Sequence, residues 1–81
     1  MSNKKEKKQV VTFEIEERIG VLYQNQTGWS KELNLVSWNG KSARYDIREW
    51  SEDHTKMSKG ITLHPQEVYK LYKLLSERAG K

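Results

Sequence analysis

Hydrophobic and polar residues alternate along two runs of the chain, residues 33–38 and 43–50, which flank Asn39-Gly40. Successive side chains of a β-strand point to opposite faces, so each run has one apolar face and one mixed face. Asn-Gly between two such runs is the strongest short signal for a hairpin turn. The pattern therefore predicts an antiparallel β-hairpin centred on this dipeptide.

The requirement that one face of the hairpin be apolar throughout determines the register in which its two strands pair. A two-residue loop would place leucines beside charged residues and divide the apolar set between the faces. A shift of one residue reverses every side chain, and it sets Leu35 opposite Tyr45 and Leu33 opposite Ile47. We therefore predict a three-residue loop, Asn39-Gly40-Lys41, with one of its last two residues in the left-handed region and a bulge beside it.

The remaining periodicity predicts the other elements. Residues 10–24 form one long bent strand or two short ones, and residues 59–63 form a further short strand. A helix begins at Pro65, a favoured first-turn residue, and runs to about Arg78. The predicted fold class is α+β: a curved antiparallel β-sheet of four or five strands followed by one C-terminal α-helix (ββββα).

The helix carries more apolar surface than one sheet needs, because its apolar arc spans roughly 220°. A chain of 81 residues without cysteine has neither a large core nor a disulfide to stabilise it. Either Tyr69 is a half-exposed surface tyrosine, or the helix packs on a second subunit, which is the interpretation we favour. The predicted homodimer interface consists of Val68, Tyr69, Leu71, Tyr72, Leu74 and Leu75.

The positive charge is concentrated at the N-terminus. The formal charge is +4, but residues 1–8 hold four lysines and one glutamate, which leaves about +1 for the rest of the chain. We expect residues 1–8 to be a disordered basic arm and residues 9–79 to form a single domain. Such a domain attracts phosphate only if its cations are collected on one face. No segment resembles a signal peptide or a membrane span, which predicts a cytoplasmic protein, free or associated with the nucleoid, with no membrane partner.

The mixed face of the hairpin gathers aromatic and cationic side chains, Trp38, Arg44, Arg48 and Trp50. We expect this face to be exposed to solvent. Aromatic rings stack on unpaired bases with little regard to sequence, and cations pair with the phosphates. Tryptophan in a small domain is also a frequent core residue, so the alternative is a packing face.

The sequence contains no catalytic or metal-binding motif. It has no nucleotide-binding glycine loop, no nucleophile elbow and no paired-histidine zinc motif. Glu52, Asp53 and His54 are adjacent in one loop, where metal ligands would not converge. We predict a non-enzymatic protein with no cofactor, no metal and no small-molecule substrate.

Three segments also resemble a known family: Ser37–Lys41, Tyr45–Trp50 and Lys59–Leu63, followed by the helix at Pro65. They are similar to the single-stranded-DNA-binding domain of the transcriptional coactivator positive cofactor four, and most of all to its compact bacterial branch, the YdbC-like proteins. The resemblance implies a homodimer whose curved sheets hold DNA across one face. By position it implies that DNA is contacted by Trp38, Lys41, Arg48, Trp50 and Lys59, with a further basic contact between Trp29 and Lys31.

Together these observations predict a non-catalytic, largely sequence-independent single-stranded DNA-binding protein that serves transcription regulation or replication and repair. The alternatives are a protein-interaction module of the transcription-cofactor kind and a single-stranded RNA binder that uses the same face. The predicted nucleic-acid-binding residues are Trp29, Lys31, Trp38, Lys41, Arg44, Arg48, Trp50 and Lys59.

Overall fold

The computed structural model describes residues 11–79, and the predicted basic arm at residues 1–8 lies outside that range. Four strands and one helix follow one another along the chain: β1 Phe13–Gln24, β2 Ser30–Trp38, β3 Arg44–Trp50, β4 Ile61–Leu63 and α1 Pro65–Ala79. The strands form one sheet in the order β1-β2-β3-β4, and each neighbouring pair is antiparallel. The predicted ββββα arrangement is confirmed.

The register of the central hairpin is also as predicted. Leu35 pairs with Tyr45 and Leu33 pairs with Ile47, so these apolar side chains share one face. The turn differs from the prediction in its length. Asn39 and Gly40 both have positive φ angles, 53° and 76°, and the Lys41 amide donates to the Trp38 carbonyl oxygen at 2.9 Å. This is a two-residue turn of the primed type, and the one-residue shift is taken up between Lys41 and the start of β3.

Strand β1 is one long strand that bends repeatedly. Its 12 residues lie against the 9 residues of β2, and the register shifts at three points, between Ile15 and Glu17, between Arg18 and Gly20, and between Val21 and Tyr23. Each shift is a β-bulge that inserts one extra residue and increases the local twist and bend. The bulges therefore coil the sheet.

The coiling brings the two ends of the β2–β3 ladder together. Trp50 pairs with the first residue of β2 and Trp38 is the last residue of that strand, yet the Phe13 ring lies 5.1 Å from Trp50 and 5.9 Å from Trp38. We call the concave side that carries these tryptophans the inner face, and the side that carries Leu35 and Tyr45 the outer face. The most deeply buried side chains all belong to the inner face: Asn34, Val36, Asp46 and Trp50.

Helix α1 leaves the sheet with little of its own surface covered. Its first turn is fixed by the Glu67 carboxylate, which accepts a hydrogen bond from the His64 amide at 2.8 Å, in the manner of a capping box. The helix touches only β3 and β4 among the described elements, and none of its described side chains is buried. In residues 11–79, no helix is long and apolar enough to cross a membrane.

Candidate nucleic-acid interface

The inner face is built around an ion pair between Arg48 and Asp46. Arg48 donates from Nε and Nη2 to the two carboxylate oxygens of Asp46, at 2.6 and 2.8 Å. Thr62 of β4 donates to the same carboxylate at 3.1 Å. Because Asp46 has no exposed surface, this pair belongs to the interior, and the hydrogen bond from Thr62 links it to β4.

The two tryptophans of this face lie in different environments. The prediction that Trp50 is exposed to solvent is wrong: its exposed fraction is 0%, because Phe13 covers it and the His54 ring stacks on it at 5.6 Å. Trp38 is half-buried, and the Arg48 guanidinium lies 4.6 Å from its ring centroid. Only Trp38 of this pair presents ring surface to an incoming base.

A second polar cluster fastens the loop after β3 to the inner face. Glu32 accepts hydrogen bonds from Asn34 Nδ2 at 3.0 Å and from His54 Nε2 at 3.0 Å, and a third from the Ser30 hydroxyl. Burial raises the pKa of the Glu32 carboxyl, but these three hydrogen bonds outweigh it and leave that pKa below its usual value. The carboxylate can only accept, so His54 Nε2 carries the proton.

The first basic group of the site lies at the turn end of the hairpin. Lys41 and Arg44 are both exposed there, and the pairing of Arg44 with Val36 puts Arg44 on the face of Trp38. Arg44 Nη1 contacts His64 Nδ1 at 2.6 Å, which ties the start of β3 to the residue before α1. Since a guanidinium only donates, Nδ1 is the acceptor in this contact.

The second basic group lies at the opposite end of the ladder, on the outer face. Lys31 pairs in register with Glu49, and it lines a shallow depression together with Lys59 and Ile61. The structure thus does not bring Lys31 and Lys59 to the face that carries Trp38. The predicted cations thus form two groups at opposite ends of the hairpin, because alternation along β2 places Lys31 on the outer face.

Trp29 lies near this second end, in an open pocket of about 570 Å³ with Glu52, Asp53 and Lys56 along its wall. The Thr55 hydroxyl and amide and the Ser51 hydroxyl donate to Asp53 and lower the pKa of its carboxyl to about 2. The ionised carboxylate disfavours a phosphate at this pocket. The pocket around Trp29 therefore favours the stacking of a base over the binding of a phosphate.

The sequence interpretation missed three residues that shape this site, Phe13, Glu32 and His54. The alternation of polar residues Ser30, Glu32 and Asn34 along β2 was the available signal, because such residues on a buried strand face require partners. Phe13 and His54 gave no local signal, since their contacts depend on the coiling of β1 and on the path of the loop. Within residues 11–79, no three His, Asp or Glu side chains come together as metal ligands would.

Comparison with known proteins places this geometry in a family. Residues 25–74 match the family model described as Transcriptional Coactivator p15 (PC4), a segment that begins directly after β1 and contains β2, β3, β4 and most of α1. An uncharacterized protein of Treponema pallidum (strain Nichols) is 45% identical to this chain over 64 residues, which are 79% of this chain and 75% of the relative. The family is a non-catalytic, nucleic-acid-binding one. The chain belongs to the family of the transcriptional coactivator p15 (PC4).

Proposed function

We propose that the protein binds single-stranded DNA without catalysing a reaction and largely without regard to sequence. The observation that carries this proposal is the half-buried ring of Trp38 at the turn end of the hairpin, backed by Arg48 at 4.6 Å and followed along the chain by exposed Lys41 and Arg44. A ring with cations beside it can stack a base while its neighbours pair with the adjoining phosphates. Membership of a nucleic-acid-binding family supports the same conclusion.

The two basic groups define the path that we propose for the strand. It runs from Lys41 and Arg44 to Lys31 and Lys59, with Trp29 as a second stacking ring. The β2–β3 ladder between these ends extends from Val36 to Ser30, about 20 Å at the rise of a β-strand. Trp50 supports the face from within and does not touch the ligand. The role that we propose is in transcription regulation or in replication and repair, in the cytoplasm and at the nucleoid.

We further propose that the binding unit is a homodimer. The helix residues predicted for its interface include Tyr69, Tyr72, Leu74 and Leu75, each more than half exposed in the single chain. Four large apolar side chains along one short helix form a patch that a second subunit would cover. Two chains would also double the number of phosphate contacts.

Fluorescence anisotropy with labelled oligo(dT) and with a duplex of the same length tests the proposed function. We expect tight binding of the single strand with quenching of tryptophan emission, and weak binding of the duplex. Four cations at phosphates in each chain predict a log–log salt slope of about −3 for each chain that contacts the strand, since single strands give about −0.7 per phosphate neutralised. Lys41→Ala combined with Arg44→Ala should make the slope shallower by about 1.4 for each such chain.

The control for these substitutions is Lys70→Ala, which removes an exposed lysine of α1, an element that is not part of the proposed strand path. It should leave both the affinity and the slope unchanged. Equal affinity for duplex and single strand would overturn the proposal. Failure to bind either would mean that the aromatic face docks a protein partner, and binding of oligo(U) in preference to oligo(dT) would make RNA the ligand.

A further inference from the structure

We propose that Arg48 is a positioning residue: through its pair with Asp46 it holds the Trp38 ring in the orientation that stacks a base, and it does not bind phosphate. This inference rests on the proposed function and refines it. The resemblance to positive cofactor four implied a direct contact between Arg48 and DNA, and the geometry points to an indirect one.

Three of the five N–H donors of Arg48 have oxygen acceptors inside the protein. Nε and Nη2 donate to Asp46, and Nη1 donates to the Ser58 carbonyl oxygen at 3.1 Å and lies 3.8 Å from the Met57 sulfur. The side chain is only 13% exposed. A phosphate is recognised by the in-plane donors of a guanidinium, and here most of those donors point at protein acceptors.

Asp46 prevents Arg48 from turning outward to a phosphate. Its carboxylate is fully buried, and Arg48 supplies the only cation paired with it among the described residues. Removal of one partner of a buried ion pair leaves an uncompensated charge, which is strongly unfavourable. Thr62 donates to the same carboxylate, so β4 also holds the pair in place.

The chain around Gly60 packs closely against Arg48. A Cβ atom at residue 60 would lie 2.3 Å from the Arg48 Cβ and 2.4 Å from the Ile47 carbonyl oxygen. Glycine is required for this close approach of two backbones. Arg48 is thus packed between β3, the segment that leads into β4 and the Trp38 ring, and it borders the shallow depression lined by Lys31 and Lys59.

The flat surface of the Arg48 guanidinium faces Trp38. The guanidinium carbon lies 4.6 Å from the centroid of the Trp38 ring, within the range of a cation–π contact. The Phe13 ring contacts the same indole at an interplanar angle of 49°. These two contacts fix the plane of the Trp38 ring. A base can then stack without the loss of rotamer freedom that a loose indole would incur.

Asp46→Asn gives opposite results for the two roles of Arg48. If Arg48 positions Trp38, the weaker pair loosens the ring, so oligo(dT) affinity should fall about tenfold, within the contribution of one stacked base, with an unchanged salt slope. If Arg48 binds phosphate, release from Asp46 frees the cation, so affinity should rise and the slope should steepen by about 0.7. Urea unfolding of the variant confirms that it is folded when binding is measured.

Arg48→Lys provides the second measurement, because it keeps a positive charge opposite Asp46 and so keeps the domain folded. Lysine binds phosphate as a point charge but lacks the planar, bidentate geometry. Positioning predicts an affinity loss of about tenfold, and this loss should vanish in a Trp38→Ala background because the two residues act as a unit. Affinity within twofold of the unsubstituted protein, or a loss that adds fully to that of Trp38→Ala, would overturn the inference. Failure of the unsubstituted protein to bind oligo(dT) would instead count against the proposed function.

Discussion

Trp38 and Trp50 show how two residues of one type on one sheet face come to differ in role. Trp50 ends β3 beneath the Phe13 ring and the stacked His54 ring, and no part of it reaches solvent. Trp38 ends β2 beside the turn and remains half-buried. Both follow the same period-two pattern, but a small core needs one large indole at its centre, and this core has only Trp50 and Val36 as fully buried apolar residues in the described part of the chain.

Trp38→Ala and Trp50→Ala are expected to separate binding from folding. Trp38→Ala should cost about 1–3 kcal/mol of oligo(dT) affinity, the contribution of one stacked base, and should leave a folded domain. Trp50→Ala should lower the free energy of unfolding by about 3–5 kcal/mol, since it empties a buried indole site. Fluorescence anisotropy measures the oligo(dT) affinity of both variants, and urea unfolding measures their free energies of unfolding. The opposite assignment of the two effects would show that Trp50 is the stacking ring and that the inner face opens.

At the scale of the elements, the sequence was sufficient to predict the register of the hairpin and insufficient to predict the bulges of β1. The hairpin has a local turn signal, and its register follows from the single arrangement that puts Leu35 and Tyr45 on one face. A bulge inserts a residue without changing the composition of a strand. The only features of the β1 sequence that indicate its three bulges are the charged run Glu16–Arg18, which interrupts the alternation, and Gly20. Because those bulges coil the sheet, the face of each site residue was predictable but its burial was not. For Lys31 the alternation along β2 was itself sufficient, because it places Lys31 on the face of Leu33 and Leu35 and away from Trp38.

The loop between β3 and β4 should become less stable in acid through Glu32. The pKa of Glu32 is below its ordinary 4.5 in the folded chain, so the stabilisation that its carboxylate supplies is complete above 4.5 and is lost as the pH falls through the lowered value. At neutral pH we expect Glu32→Gln to reduce the free energy of unfolding by about 1–3 kcal/mol, because charge-assisted hydrogen bonds from Ser30, Asn34 and His54 are weakened.

Urea unfolding of the unsubstituted protein and of Glu32→Gln, from about pH 7 down to about pH 3, measures this effect. The difference between the two should shrink as the pH falls below 4.5. The matched control is Glu52→Gln, a neighbouring exposed carboxylate, which should follow the unsubstituted protein throughout. A constant difference between Glu32→Gln and the unsubstituted protein across this range would show that Glu32 does not titrate with unfolding.

At the scale of the whole molecule, the single chain leaves much apolar surface uncovered. The outer face of the sheet carries Ile61 at 51% exposure, and α1 carries Tyr72 at 66%. Large exposed apolar side chains of this kind, where they adjoin one another on a small domain, mark an interaction surface. The strand path that we propose lies along the hairpin, so the helix patch is free for a second copy of the chain while nucleic acid is bound.

Sedimentation equilibrium should therefore give a mass about twice the 9.6 kDa of one chain. Leu75→Glu places a charge in the middle of the helix patch and should shift the protein to monomers, with a midpoint of thermal unfolding that no longer rises with protein concentration. Lys70→Glu, a substitution at an exposed position of the same helix, is the matched control and should stay dimeric.

Two outcomes would show that the helix patch serves another partner. Either the unsubstituted protein is monomeric at every concentration tested, or Leu75→Glu forms dimers to the same extent as Lys70→Glu. If monomeric Leu75→Glu still binds oligo(dT) with a salt slope about half that of the dimer, each chain carries a complete strand path and the dimer joins two of them.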